Sequence, residues 1–224
     1  LVGLQGLIRQ AWNPDTAQPV GLPFCPGPCD PDGLVMIGRS PDGFRLQDAL
    51  SGKWLGPPAP DAPVDSTLMA LSRGGKWLAI AKEASISAWD MAPGQPGGTV
   101  LGNSSEGRQL LFSRDGTLLA ALLRGGNIMV WNTATAKPLG SPLPRTPFQQ
   151  DSTDQWTTGL AFSPDSRLLA FNALNGVHLY RTDTLEPIGT PLTGKGEILQ
   201  DAAFSPDGNW LLTATADGQL QLWN

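Results

Sequence analysis

The sequence predicts an all-β fold built from repeated four-stranded antiparallel units, about five to six of them, with the terminal units incomplete. Three observations carry this expectation. The 224 residues include 27 glycines and 21 prolines, about a fifth of the chain, against only 16% charged residues. A five-residue turn signature recurs at nearly constant spacing. Each copy is followed by an apolar run, then by an alternating run that ends in an aromatic and a polar residue.

The composition excludes several classes. A helical bundle or coiled coil would carry far fewer Gly and Pro and more Glu, Lys and Arg. A disordered chain would not hold 40% hydrophobic residues and 8 tryptophans. The glycines follow no period of three, so collagen is excluded. A net charge of −5 without basic clusters argues against nucleic-acid binding. No apolar run approaches the roughly 18 residues of a membrane span.

The turn reads Phe-Ser-Pro-Asp-Gly at 204–208, Phe-Ser-Arg-Asp-Gly at 112–116 and Phe-Ser-Pro-Asp-Ser at 162–166. Worn copies are Leu-Ser-Arg-Gly-Gly at 71–75 and Cys-Asp-Pro-Asp-Gly at 29–33. The fifth positions fall at 33, 75, 116, 166 and 208, giving steps of 42, 41, 50 and 42. Proline fixes φ and glycine permits φ > 0, as a tight turn requires. A first strand ends at the Phe-Ser pair. The second strands, such as 118–122, 168–171 and 211–214, are near-continuous apolar runs, as expected for strands buried on both faces. The third strand alternates and ends at Ala88-Trp89-Asp90, Val130-Trp131-Asn132, Leu179-Tyr180-Arg181 or Leu222-Trp223-Asn224. Leu46-Gln47-Asp48 is a worn copy, and Ala11-Trp12-Asn13 is an extra one. A more polar stretch, 133–140 or 182–189, is expected as the fourth strand. Four short strands per roughly 42 residues is the plan of a propeller blade.

These residues resemble the WD40-repeat family, in the form common in bacterial regulatory proteins. The resemblance rests on Phe-Ser-Pro-Asp-Gly followed by Ala-Asp-Gly-Gln-Leu-Gln-Leu-Trp-Asn and extends over nearly the whole chain. It implies a non-catalytic protein-interaction or scaffold module, the propeller region of a larger multidomain regulatory protein. The family's Gly-His pair is absent; Gly194-Lys195 stands in its place in the last repeat, and Thr153 in the one before. The second-turn Asp is retained at Asp217 and Asp42. The family's buried Asp-His-Ser/Thr-Trp network therefore cannot form as a full set, and blade stability must rest on apolar packing and turns.

A partial repeat over 1–22 is followed by repeats over about 23–58, 59–101, 102–143 and 144–192, and by a partial repeat over 193–224. Two readings follow: a small closed or nearly closed propeller, or part of a longer array with further blades or domains in the same polypeptide. The mid-repeat start favours the second. Leu1-Val2-Gly3-Leu4 is neither a signal peptide nor a normal initiation, which suggests a fragment or a processed piece. The expected location is cytoplasmic. Cys25 and Cys29 are read as two reduced thiols, as a local disulfide if Pro26-Gly27-Pro28 turns, or as metal ligands. Asn103-Ser104-Ser105 is a glycosylation sequon that matters only in a secreted eukaryotic protein.

Catalytic chemistry finds little to use. The lone His178 lies in an alternating strand whose Val177 and Leu179 face one way, so His178 and Tyr180 face the other. No Gly-x-Ser-x-Gly elbow accompanies it. Asp32, Asp42, Asp115, Asp165, Asp207 and Asp217 occupy turns, where their carboxylates are expected to cap backbone amides. No phosphate-binding loop is present, since Arg73-Gly74-Gly75 is a worn turn. No enzyme, cofactor or metal is expected. The best functional candidate is the insertion at 141–152, because insertions in repeat proteins map to loops on one face, often the binding face. Arg145, Phe148 and Trp156 are residue types that anchor interfaces. The resemblance places that loop on the same rim as the second-turn tips, which carry Arg39, Lys82, Glu83, Arg124 and Asn175. Such a ring would suit a protein or peptide partner; the alternative is a sensor that binds a small ligand or peptide in the central channel. Against both stands a tolerated surface loop with Phe148 tucked onto its own blade. Trp54, Trp77 and Trp210 are expected in core or inter-blade packing.

Overall fold

The computed structural model describes residues 2–5, 8–12, 19–24, 29–59, 68–82, 85–92, 98–103, 107–123, 126–143, 159–173, 176–193, 199–215 and 218–224. Among them are six antiparallel sheets and no α-helix. The first holds β1 (Val2–Gln5), β2 (Ile8–Trp12) and β3 (Pro19–Phe24). The second holds β4 (Val35–Ser40), β5 (Gly43–Asp48) and β6 (Trp54–Ala59). The third holds β7 (Leu68–Leu71), β8 (Trp77–Lys82), β9 (Ser85–Asp90) and β10 (Thr99–Asn103). The fourth holds β11 (Gly107–Phe112), β12 (Leu118–Leu123), β13 (Ile128–Asn132) and β14 (Lys137–Pro138). The fifth holds β15 (Leu160–Phe162), β16 (Leu168–Ala173) and β17 (Gly176–Arg181). The sixth holds β18 (Leu199–Phe204), β19 (Leu211–Thr215) and β20 (Leu220–Trp223). Each sheet is a meander in chain order, the arrangement of propeller blades.

The expected fourth strands are shorter than the sequence suggests. Residues 133–136 form a turn with Ala136 at φ 56°, and the outer stretch meets β13 through Lys137 to Leu139 and again at a bridge from Ile128 to Leu143. In the fifth sheet the outer stretch is reduced to bridges from Tyr180 to Pro187 and from Val177 to Leu192. Pro138 and Pro187 sit between residues that bond inward: Leu139 N–H donates to Val130 at 2.9 Å and Ile188 N–H to Leu179 at 2.8 Å, so each proline nitrogen faces away from the sheet, as suits an outer edge.

The second to sixth sheets pack face on face in succession, and β12 shows why its run is apolar throughout. Leu118, Ala120 and Leu122 join a cluster with Leu160, Leu169, Phe171 and Tyr180 of the fifth sheet. Leu119, Ala121 and Leu123 join the opposite cluster with Ala79, Ile86 and Ala88 of the third. Successive side chains of a strand point to opposite faces, so a blade between two neighbours needs apolar residues at every position. The second sheet packs on the third through Ile37, Phe44, Leu46, Leu78 and Ile80. The sixth packs on the fifth through Val177, Ala202 and Leu211.

The turns are laced by one repeated pattern. The hydroxyls of Ser72, Ser113, Ser163 and Ser205 accept the N–H five residues ahead, at 2.8–3.0 Å. In the first copy the carboxylate of Asp30 does the same for Val35 at 2.9 Å. The carboxylates of Asp115, Asp165 and Asp207 accept a bond from the serine and cap the N–H two residues on, at 3.1 Å. Asp32 departs from the expected capping: its carboxylate pairs with the guanidinium of Arg73 at 2.5 Å. Asp217 lies outside the described residues.

Two tryptophans depart from the expected packing. Trp210 is 40% exposed because it opens the face of the sixth sheet that no described sheet covers, and Trp54 is 37% exposed on the outer strand β6. Trp54 instead lies under the guanidinium of Arg45 at 5.9 Å. Trp77 packs half-buried onto the cluster between the third and fourth sheets.

Candidate functional site

The residue after each turn serine, or after Asp30, occupies one equivalent position: Pro31, Arg73, Arg114, Pro164 and Pro206. Neighbouring turns touch. Asp30 accepts the N–H of Gly74 at 3.0 Å, and Ser166 accepts the N–H of Asp115 at 3.2 Å. A cavity of about 370 Å³ opens among them, lined by Pro31, Asp32, Arg114, Pro164 and Pro206. It runs inward along the ends of the first strands β11, β15 and β18, past Leu111, Phe112, Leu160 to Phe162, and Ala202 to Phe204. Pro31 of the second sheet and Pro206 of the sixth share this cavity, so the row of sheets curves around it.

The wall is apolar apart from a few groups. Asp32 and Arg73 neutralise each other at the rim. Arg114 is the one cation among the described lining residues. The turn carboxylates of Asp165 and Asp207 are held below the usual carboxylate range by the hydroxyls of Ser163 and Ser205 and by the N–H groups of Arg167 and Asn209. Burial pushes the Asp115 carboxyl up, but its bonds from Ser113, Thr117 and Ser166 outweigh that and hold it down. Such acids stay ionised as turn acceptors and are poorly suited to donate a proton.

His178 faces as the alternation predicts. Val177 and Leu179 pack toward the sixth sheet, while the His178 ring stacks on Phe171 at 5.4 Å with an interplanar angle of 6°. Burial holds its imidazole below the ordinary value. Among the described residues no cluster of His, Cys, Asp or Glu could hold a metal ion, and no helix is long and apolar enough to cross a membrane.

Of the residues expected from the sequence, only Arg39 and Lys82 are described, and neither lines the cavity. Arg145, Phe148, Trp156, Glu83, Arg124 and Asn175 fall outside the described residues, as does Cys25. Arg39 is exposed near the end of β4, and Lys82 is half-buried at the end of β8. Both strands run away from the serine turns for six residues, about 20 Å at 3.3 Å each. Arg39 and Lys82 therefore stand on the rim opposite the cavity. Sequence reasoning missed Arg114 and the three prolines as a group. The available signal was the third position of the five-residue turn, which holds three prolines and two arginines.

A family profile described as "WD domain, G-beta repeat" matches residues 185–224. Residues 185–224 are a WD40 repeat. The match spans the last outer stretch and β18 to β20, the copy with the best-preserved Ser-Pro-Asp-Gly turn and Leu-Trp-Asn ending. The chain is also 31% identical over 108 residues to "WD repeat-containing protein SL1-17" of Schistosoma mansoni. That alignment covers 48% of this chain and 33% of the relative, so the chain spans about a third of the length of the curated relative it matches.

Proposed function

We propose that the chain is a non-catalytic interaction module, part of the propeller of a larger multidomain regulatory protein, binding a protein or peptide over several blades. The observation that carries this reading is the use of the polar groups. The turn acids and serines are engaged in holding turns, and the lone imidazole is half-buried and stacked on Phe171. What the fold leaves for recognition is surface and an apolar cavity. The WD40 repeat at 185–224 supports the same reading, because such repeats commonly serve as protein-binding scaffolds.

Further blades of the same polypeptide fit the sixth sheet. Leu220 and Leu222 are 68% and 58% exposed, whereas their counterparts Ile128 and Val130 are covered by the next sheet. The insertion carrying Arg145 and Phe148, with nearby Trp156 and the tips at Arg39, Lys82, Glu83, Arg124 and Asn175, is the proposed partner surface. Replacing Arg145, Phe148 and Trp156 together by alanine is expected to abolish partner capture in a cross-linked pull-down while the fold is kept. Unchanged capture of every partner removes that surface from the proposal. A second reading, a small-ligand or peptide sensor, draws on the cavity of about 370 Å³, within the size range of ligand pockets.

A further inference from the structure

We propose that the cavity at the serine-turn rim binds an apolar side chain that carries or adjoins a carboxylate, with Arg114 as its anchor. This rests on the sensor reading, and it places recognition on the rim opposite Arg39 and Lys82.

The walls favour an apolar group. Phe162 and Phe204 are half-buried where their strands reach the cavity, and Leu111 and Ala203 complete the surface between them. The rim selects charge. Pro31, Pro164 and Pro206 offer no N–H, so backbone donors are missing at three of the five equivalent turn positions. Arg73 is engaged by Asp32. That leaves Arg114, whose planar fork suits a carboxylate with two parallel N–H···O bonds. An ammonium group would find only the Asp32 carboxylate at the wall, already countered by Arg73.

N-acetyl-phenylalanine, its C-terminal amide, and N-acetyl-Glu-Phe-amide separate terminal from side-chain carboxylates in a calorimetric or NMR titration. The expected result is saturable binding of at least one of the two acids and about tenfold weaker binding of the neutral amide. Arg114→Gln should reduce acid binding about tenfold and leave amide binding unchanged. Because Arg114 is exposed on a turn, that variant keeps its fold, which thermal unfolding checks. Phe204→Ala should weaken acid and amide alike. Equal acid binding by wild type and Arg114→Gln, or no saturation by any probe with folded wild type, overturns the site. Partner capture that survives Arg114→Gln leaves the interaction-module reading intact, so the two fail separately.

Discussion

The indole N–H of Trp223 donates to the hydroxyl of Thr213 across 3.1 Å, from the third strand of the sixth sheet to its second. The same pair of positions is filled differently in the other sheets. Phe171 and Tyr180 stack at 5.3 Å. Ile80 faces Trp89, whose Nε1 is buried without a partner. Ala121 lies near Trp131 in one cluster. Each solution keeps an aromatic packed toward the preceding sheet. Among the described residues, the sixth sheet alone shows such a polar link between second and third strands. Thr213→Val should lower stability by about 1 kcal/mol, the usual net worth of such a bond. Urea unfolding measures it; a variant as stable as wild type would show the bond to be idle.

Ser166 holds φ at +61°, where the other serine turns place glycine. A side chain there costs roughly 1–2 kcal/mol. Its hydroxyl offsets part of this by accepting the Asp115 N–H across the sheet boundary. Ser166→Gly removes both the strain and the bond and should be nearly neutral. Ser166→Ala keeps the strain and loses the bond, so it should be less stable by about 1 kcal/mol. Chemical denaturation of the pair decides the matter, and an alanine variant as stable as the glycine one contradicts it.

Gly176 opens β17 at φ +125°, and a Cβ there would overlap the carbonyl of Leu192. That carbonyl accepts the Val177 N–H at 3.0 Å, and the Leu192 N–H returns a bond at 2.8 Å. Gly176→Ala must therefore strain the backbone and push the outer stretch away. The expected loss is about 2 kcal/mol or more, with faster amide exchange at Leu192. Unchanged exchange there would mean that the outer stretch adapts freely.

Stability should fall in two steps on acidification. Burial lowers the folded-state value of His178, so the unfolded chain takes up this proton first. Its contribution is complete above about 6.5, the ordinary imidazole value, and is lost as pH falls through the folded value. Asp165 and Asp207 are also held low, by turn hydrogen bonds. Their contribution is complete above the ordinary carboxylate value of about 4 and fades below it. Denaturant midpoints from pH 8 to 3 should show both declines. His178→Phe, which keeps a ring against Phe171, should remove the first; a midpoint curve of the same shape would place its cause elsewhere.

The turns, the apolar second strands and the all-β fold class were legible in the sequence because each rests on local chemistry. Pro-Asp-Gly sets backbone angles, and a serine five residues before its donor reaches that N–H without outside help. Alternation likewise placed His178 and Tyr180 on one face. The short outer strands were less legible, since stretches 133–140 and 182–189 carry no apolar alternation from which the length of an edge strand can be read. The exposure of Trp210 was hidden for another reason: a tryptophan in a second strand is buried only if a sheet covers that face.

The sequence by itself determined the repeat, because turn angles and strand alternation are encoded within a few residues. Only the tertiary structure decided which side chains meet. Pro31 and Pro206 lie 175 residues apart in the chain and line one cavity, and Arg114 joins them there. That meeting depends on the curvature accumulated over successive sheet interfaces. It is set by how alanines and leucines interdigitate between neighbouring sheets, which no single repeat contains.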